Sequence, residues 1–233
     1  GTTALGANNI AKGNSALAVG NENTATNGAA TAIGAGNEAT GDTSVAIGNK
    51  SNASGDHSIA IGAYNNQNWT QGSNVTTPKP AGAYSLAVGN YNDALGSRAT
   101  AIGSYTTAKG EWATAIGAQT TASGNGDVAI GDTTKTNATG VGHAVAVGWH
   151  AETGAANAVA VGPSALASGK NSVSVGNNNN SRVQDTVTMG QDNDAKTMGG
   201  IAIGKNNMVD STNGGTNHPE TRDENSQIAI GRD

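Results

Sequence analysis

Residues 44–62 read SVAIGNKSNASGDHSIAIG, so the five letters that open the stretch return almost unchanged fourteen residues later. With the glycine that closes each Ala-aliphatic-Gly element taken as position zero, the element occurs fifteen times. These glycines are Gly6, Gly20, Gly34, Gly48, Gly62, Gly89, Gly103, Gly117, Gly131, Gly148, Gly162, Gly176, Gly190, Gly204 and Gly231. The steps are 14 residues except for two of 27 and one of 17. A period this strict indicates a repeat architecture.

The positions around each glycine have a fixed chemistry. Position −1 is aliphatic or Met in every copy, and position −3 is usually Val, Ile or Leu and otherwise Thr. Position −2 is Ala in all copies but two, which have Ser174 and Thr188. Small residues recur at position +5, as in Ala25 and Ala53, and Asn dominates position +3. Each column therefore has its own place in a repeated coil.

Fourteen residues suffice for two strands and two tight turns, but not for two helices. Gly and β-branched residues also disfavour helix. We expect two strands of about five residues per coil, with Gly at position zero and Asn at position +3 supplying left-handed turn conformations. The sequence thus predicts an all-β fold, a parallel β-solenoid of 14-residue coils. Two coils carry 13-residue insertions, at about 65–82 and 207–226.

The first strand of each coil is apolar on both faces, because large aliphatics alternate with Ala. A sheet that is apolar on both faces needs a cover on both faces. The coil's own interior supplies one cover, and we expect another copy of the chain to supply the other. The residues assigned to the core or to this contact between copies are Val45, Ala46, Ile47, Ile59, Ala60, Ile61, Val88, Ile102, Ile116, Val147 and Val161.

The motifs SVAIG, SIAIG, SLAVG, AVAVG and NSVSVG resemble the YadA-like head domains of trimeric autotransporter adhesins. The resemblance implies a left-handed parallel β-roll and a homotrimer in which three chains lie side by side. It implies a place on the bacterial surface, with an outer-membrane anchor outside these residues. It also implies adhesion to collagen, fibronectin, laminin or a host receptor. On this interpretation residues 1–233 are a single head domain, a fragment of a longer chain.

Composition and charge argue against other classes of protein. Charged residues are only 12% of the chain and the formal net charge is −5, whereas nucleic-acid binding needs clustered Lys and Arg. No apolar run approaches the roughly 20 residues that span a bilayer, so no membrane contact is expected. Carboxylates are scattered over many columns, and the histidines are too dispersed for a metal site. We therefore expect neither catalysis nor a cofactor nor a metal.

Aromatic residues recur in two columns and are the candidate ligand-binding residues. Position −5 has Tyr84, Arg98 and Trp112 in consecutive coils, and position +2 has Tyr91 and Tyr105. Stacked coils place such neighbours about 5 Å apart, close enough for Arg98 to stack on Tyr84 or Trp112. Exposed aromatic and Arg residues are typical of interaction hot spots. The alternative is a structural role, shielding the stack or the seam between subunits.

The first insertion contributes one further candidate, Trp69, because loops on a rigid scaffold often bind ligands. Two other functions stay open at this point. The solenoid could be a spacer that projects a different binding tip. It could also bind ice through the stacked Thr106, Thr120 and Thr134 at position +3, followed by Thr107 and Thr121 at position +4.

Overall fold

The computed structural model describes residues 1–69, 76–78, 81–137, 142–210 and 228–232, and every regular element in them is a β-strand. The chain forms two compact units, Gly1–Gln119 and Thr120–Asp233. The same coil recurs in both units, with one long and one short strand in each regular turn. Among the described residues there is no helix of the length and hydropathy that crossing a membrane requires.

The long strands run from position −3 to position +1 in most coils. In the first unit they are Thr3–Ala7, Leu17–Asn21, Thr31–Ala35, Val45–Asn49, Ile59–Ala63, Leu86–Asn90, Thr100–Ser104 and Thr114–Ala118. In the second unit they are Val128–Asp132, Val145–Val147, Val159–Val161, Val173–Asn177, Val187–Gln191, Ile201–Lys205 and Ile228–Arg232.

The short strands cover positions +4 and +5. In the first unit they are Ile10–Ala11, Thr24–Ala25, Glu38–Ala39, Asn52–Ala53, Asp93–Ala94 and Thr107–Ala108. In the second unit they are Thr121–Ala122, Lys135–Thr136, Glu152–Thr153, Leu166–Ala167, Asn180–Ser181, Asp194–Ala195 and Met208–Val209. The prediction of two five-residue strands is therefore wrong for the second one. Turn residues with positive φ at positions +2 and −5 leave little extended backbone between them.

Parallel pairing in register confirms the predicted solenoid. Within each unit, successive long strands pair in parallel register, and in most coils glycine aligns with glycine, as Gly6 does with Gly20. The register survives the first insertion, across which Gly62 pairs with Gly89. It also survives the second, across which Gly204 pairs with Gly231. The register is therefore the same before and after each insertion.

The interior is filled by small side chains, and the large aliphatics face outward. Ala46 and Ala60 at position −2 and Ala53 at position +5 are fully buried. On the opposite side of the same strands, Ile59 and Ile61 remain 36% and 38% exposed. Of the core and interface candidates, only Ala46 and Ala60 therefore lie inside the coil. The others, from Val45 to Val161, form an outward apolar surface, here called the wall face.

Buried asparagines at position +3 connect successive coils. The Nδ2 atom of Asn37 donates to the carbonyl oxygens of Ile33 in its own coil and Gly48 in the next, at 3.0 and 2.8 Å. Its Oδ1 atom accepts the backbone N–H of Ser51 at 3.0 Å. One side chain thus satisfies three backbone groups in a place that water cannot reach.

Two coils have no polar side chain at position +3. Ala151 and Ala165 take the place of Asn at position +3. In these coils the long strands, Val145–Val147 and Val159–Val161, end at position −1 instead of position +1. Coils with Ser or Thr at position +3 keep full-length strands, as in Val45–Asn49 and Thr100–Ser104, so the shortening accompanies the loss of any polar side chain at this position.

Left-handed backbone is confined to narrow columns. The position-zero glycines have φ angles between 114° and 154°, as predicted. The expectation for Asn at position +3 is wrong, because the non-glycine residues with positive φ lie at positions −5 and +2, with the single exception of Asn66. These corner residues point outward, whereas Asn at position +3 turns inward to bond the backbone. Many are bulky or β-branched, for which a positive φ is costly.

This strain gives a first prediction. Thr43 sits at an exposed corner with φ of 50°, and no ring or ion pair compensates its conformation. We expect Thr43→Asn to raise the free energy of unfolding by about 1 kcal/mol, because Asn tolerates the left-handed region better. Urea denaturation followed by circular dichroism measures the change. Thr40→Asn is the matched control; Thr40 has no positive φ, and an equal gain there would contradict this origin.

The first insertion leaves the coil after Asn66 and forms a small antiparallel sheet of its own. Its strands are Gln67–Trp69 and Thr76–Pro78. The short strand of this coil is missing at Asn66. The side-chain amide of Asn66 instead makes the hydrogen bonds to the neighbouring coils that a backbone peptide group would make. Its Nδ2 atom donates to the Asn52 oxygen and its Oδ1 atom accepts from the Ala94 nitrogen, both at 2.8 Å. This amide bridges the coils before and after the excursion.

Candidate binding surface

The wall face is bordered on both sides by corner columns, which hold most of the exposed aromatic side chains of the first unit. Position −5 precedes each long strand and position +2 follows it. Corner side chains point away from the coil, and stacking brings those of one column together. Two columns therefore run along the two margins of the wall face.

The column at position −5 contains a continuous stack, here called the Arg98 ladder, formed by His57, Tyr84, Arg98 and Trp112. The His57 and Tyr84 rings are parallel, 4.7 Å apart. The guanidinium of Arg98 lies 5.4 Å from the Tyr84 ring centre and 4.5 Å from that of Trp112. The expected contacts of Arg98 are thus confirmed, and Glu111 adds an ion pair at 3.6 Å.

The column at position +2 contains a second stack, here called the Tyr91 ladder, formed by Lys50, Tyr64, Tyr91 and Tyr105. Adjacent tyrosine rings are parallel and 4.9 Å apart. The Lys50 ammonium lies 5.9 Å from the Tyr64 ring centre. Partial desolvation and the neighbouring phenols of Tyr64 and Tyr105 raise the pKa of Tyr91, so its hydroxyl stays protonated at physiological pH.

Both ladders are exposed on the isolated chain. Tyr84 is 55% exposed, Trp112 is 58% exposed and Tyr105 is 47% exposed. Because ring faces are occupied within each stack, mainly ring edges and polar tips face outward. Such an array is rigid, since each side chain is held by its neighbours.

In several coils of the second unit, the same two columns hold Asn and Asp side chains. In position −5, Asn157 donates to Asn171 and Asn171 donates to Asp185, at 3.1 and 2.9 Å. In position +2, Asn178 donates to Asp192 at 2.8 Å. The bond from Asn171 holds the pKa of the Asp185 carboxyl below its usual value. Corner columns can thus form ladders of amides and carboxylates as well as of aromatic rings.

Sequence reasoning missed two residues of this surface and one exposed aromatic residue outside it. His57 and Lys50 extend the ladders by one step, and column alignment alone could have found them. Trp149 at position +1 of the second unit is 56% exposed, and its ring lies edge-on to His150 at 4.3 Å. Trp69 ends the hairpin strand, where its backbone pairs with that of Thr76.

The threonine array proposed for ice binding does not lie on the surface. Thr106, Thr120 and Thr134 are fully buried. Their hydroxyls bond within the coil stack; that of Thr106 contacts the Oδ1 atom of Asn92 at 2.6 Å. Side chains with no exposed hydroxyl offer nothing to an ice lattice.

The described residues also contain no group of three His, Asp or Glu side chains close enough to hold a metal ion. The ladders are therefore the chemically distinctive surface of the described first unit.

A family model for the YadA head domain repeat matches residues 1–23, 39–65, 81–106, 108–133 and 154–179. The chain belongs to the YadA head family. This family comprises surface adhesin head domains and is not a family of enzymes. No curated protein matches the chain.

The YadA head repeats contain every residue of both ladders, because each of these residues falls within 39–65, 81–106 or 108–133. The hairpin with Trp69 falls in the gap after residue 65. The ladders are therefore built on the YadA head repeat itself, whereas the hairpin is an addition to it.

Proposed function

We propose that this YadA head is the binding part of a homotrimeric adhesin on the bacterial surface, anchored in the outer membrane through residues outside this stretch. Its partners in this proposal are host matrix proteins such as collagen, fibronectin or laminin, or a host receptor. The observation that carries the proposal is an adhesin-family repeat that displays rigid, exposed aromatic ladders.

The wall face supports the homotrimer. Its aliphatic side chains form one continuous column along each unit, and Ile59, Ile61 and Ile130 are each more than a third exposed. Contiguous apolar surface of this kind marks a protein contact. Apolar burial would stabilise the assembly by roughly 25 cal/mol per Å².

The candidate ligand-binding residues are Tyr84, Arg98, Trp112, Tyr91 and Tyr105, with Trp69 on the hairpin. Aromatic and Arg side chains held rigidly lose little entropy on binding, which is why they dominate hot spots. In a trimer each ladder is present three times, so weak contacts add through multivalency.

Binding of the sedimentation-verified trimer to immobilised collagen, fibronectin and laminin tests this function. We expect saturable binding to at least one of them, lowered at least about tenfold by Trp112→Ala, since a hot-spot side chain contributes 2 kcal/mol or more. Deleting the thirteen residues 67–79, which restores the 14-residue step and keeps Asn66, is expected to weaken binding as well.

Trp149→Ala is the matched control, because Trp149 is similarly exposed but belongs to neither ladder. We expect it to bind like the unmodified chain. Equal binding by all variants would show that the ladders are not part of the ligand-binding site. No binding to any matrix protein or receptor by a folded trimer would favour the spacer function.

A further inference from the structure

The chain has three methionines, and all of them belong to the second unit. They are Met189, Met198 and Met208, whose exposed fractions are 42%, 53% and 44%. An accessible thioether is a target for peroxide, which converts this flexible apolar side chain into a polar sulfoxide. On the isolated chain all three side chains are open to this reaction, so only their positions in the coil distinguish them.

Met189 lies on the wall face. It occupies position −1, where every other copy of the repeat has Leu, Val or Ile. Val175 and Ile203 pair with it in the strands on either side. Val187 precedes it by two residues and lies on the same face of the strand. Met189 thus continues the apolar column and supplies the one thioether at position −1.

The other two methionines lie elsewhere in the coil. Met198 is in the turn at position −6. Met208 begins the short strand Met208–Val209, and its Sδ atom lies 3.8 Å from Nζ of Lys196. Because neither belongs to the wall face, we expect a cover on that face to leave both accessible. They are natural reference sites for the reactivity of Met189.

We propose that Met189 is an oxidation site that controls assembly: peroxide reaches it on the unassembled chain only, and its sulfoxide excludes that chain from the homotrimer. This inference rests on the homotrimer proposed above. In the reaction a sulfur–oxygen bond forms, the oxygen–oxygen bond of hydrogen peroxide breaks, and the second oxygen leaves as water. The sulfur is oxidised by two electrons and the peroxide is reduced by two.

The sulfoxide excludes the chain because its oxygen would be buried without a hydrogen-bond donor. The side chains of Val175, Val187 and Ile203 offer none, and an unbonded polar group is costly to bury. Each subunit of a trimer contributes its own Met189, so the cost is paid three times. We expect the trimer dissociation constant to rise about tenfold for each oxidised subunit, and so about a thousandfold for three.

Peroxide footprinting of the unmodified trimer tests whether Met189 is covered. After a brief exposure stopped with catalase, mass spectrometry of proteolytic peptides gives the sulfoxide fraction at each methionine. We expect Met189 to react at least about tenfold more slowly than Met198 and Met208 in the trimer, and equally fast in urea, because exposure governs reactivity. Equal rates at all three sites in a trimer would overturn the inference and leave the assembly standing.

Two leucine variants test whether the sulfoxide blocks assembly, since exchanging Met for Leu nearly conserves volume. The first combines Met198→Leu with Met208→Leu and keeps Met189, and the second is Met189→Leu. Each chain is oxidised in urea, freed of peroxide with catalase, refolded by dilution and sedimented over a range of concentrations. Chains taken through the same steps without peroxide are the controls.

We expect oxidation to abolish the trimer of the first variant and to leave that of Met189→Leu intact. Methionine sulfoxide reductases, one for each sulfoxide epimer, should restore the first variant, because they return the sulfoxide to the thioether. Loss of the trimer by both variants or by neither, or a loss that the reductases do not reverse, would overturn the role of Met189. A monomer before any oxidation would instead overturn the homotrimer and this inference with it.

Discussion

Replacing Gly89 by alanine is expected to destabilise the fold by more than about 4 kcal/mol, at the extreme of single substitutions. Gly89 has φ of 120°, a conformation that side chains of L-residues avoid. A Cβ atom there would overlap the backbone oxygen of Gly103 in the next coil and lie 2.9 Å from Nδ2 of Asn92. Neither the Gly103 oxygen nor the Asn92 amide can move away from the new Cβ atom, because the long strands pair with each other on both sides of Gly89.

Gly28→Ala is the matched control. A Cβ atom on Gly28 would meet only the Oδ1 atom of the exposed Asp42 side chain, at 2.6 Å. That carboxylate can swing away, so we expect a loss below about 1 kcal/mol, within the range of ordinary surface substitutions. Urea denaturation of both variants measures the difference. Similar midpoints would contradict the close backbone approach at position zero.

The sequence predicts this solenoid well because its period is explicit. Small residues at positions −2 and +5 indicate that both positions face one narrow interior. The regular spacing of the glycines indicates that the coils stack in register. Which residues adopt positive φ could not be predicted, since Tyr91, Trp112 and Thr43 lie there against their local preferences. Stacking and tertiary context override those preferences.

The candidate binding surface could be predicted from the sequence wherever its residues fall in aligned columns. Alignment alone places Arg98 between Tyr84 and Trp112, as the structure has it. The contact between His57 and Tyr84 spans a 27-residue step, so it follows only once the insertion is known to leave the register intact. Trp69 lies outside the repeat, where no column exists from which to predict its neighbours.

Asn92→Ala is expected to destabilise the fold by about 3 kcal/mol, because it orphans several buried groups at once. The Nδ2 atom of Asn92 donates to the oxygens of Val88 and Gly103, both at 2.9 Å. Its Oδ1 atom accepts both the backbone N–H and the hydroxyl of Thr106, at 3.1 and 2.6 Å. Alanine supplies none of these bonds, and water cannot enter to replace them.

Asn92→Thr is the discriminating variant, because Thr occurs naturally at this position in other coils. The Thr120 hydroxyl donates to the Gly131 oxygen of the following coil at 2.8 Å, so threonine keeps one of the three side-chain bonds between coils. We expect a loss of about 1 kcal/mol for Thr, against about 3 for Ala. Near-ultraviolet circular dichroism should change for Ala only, since Tyr91 precedes Asn92 and stacks on Tyr64 and Tyr105. If alanine and threonine are equally tolerated with tyrosine signals unchanged, the asparagine column does not hold the coils together, and the ladders at the corners owe their order to something else.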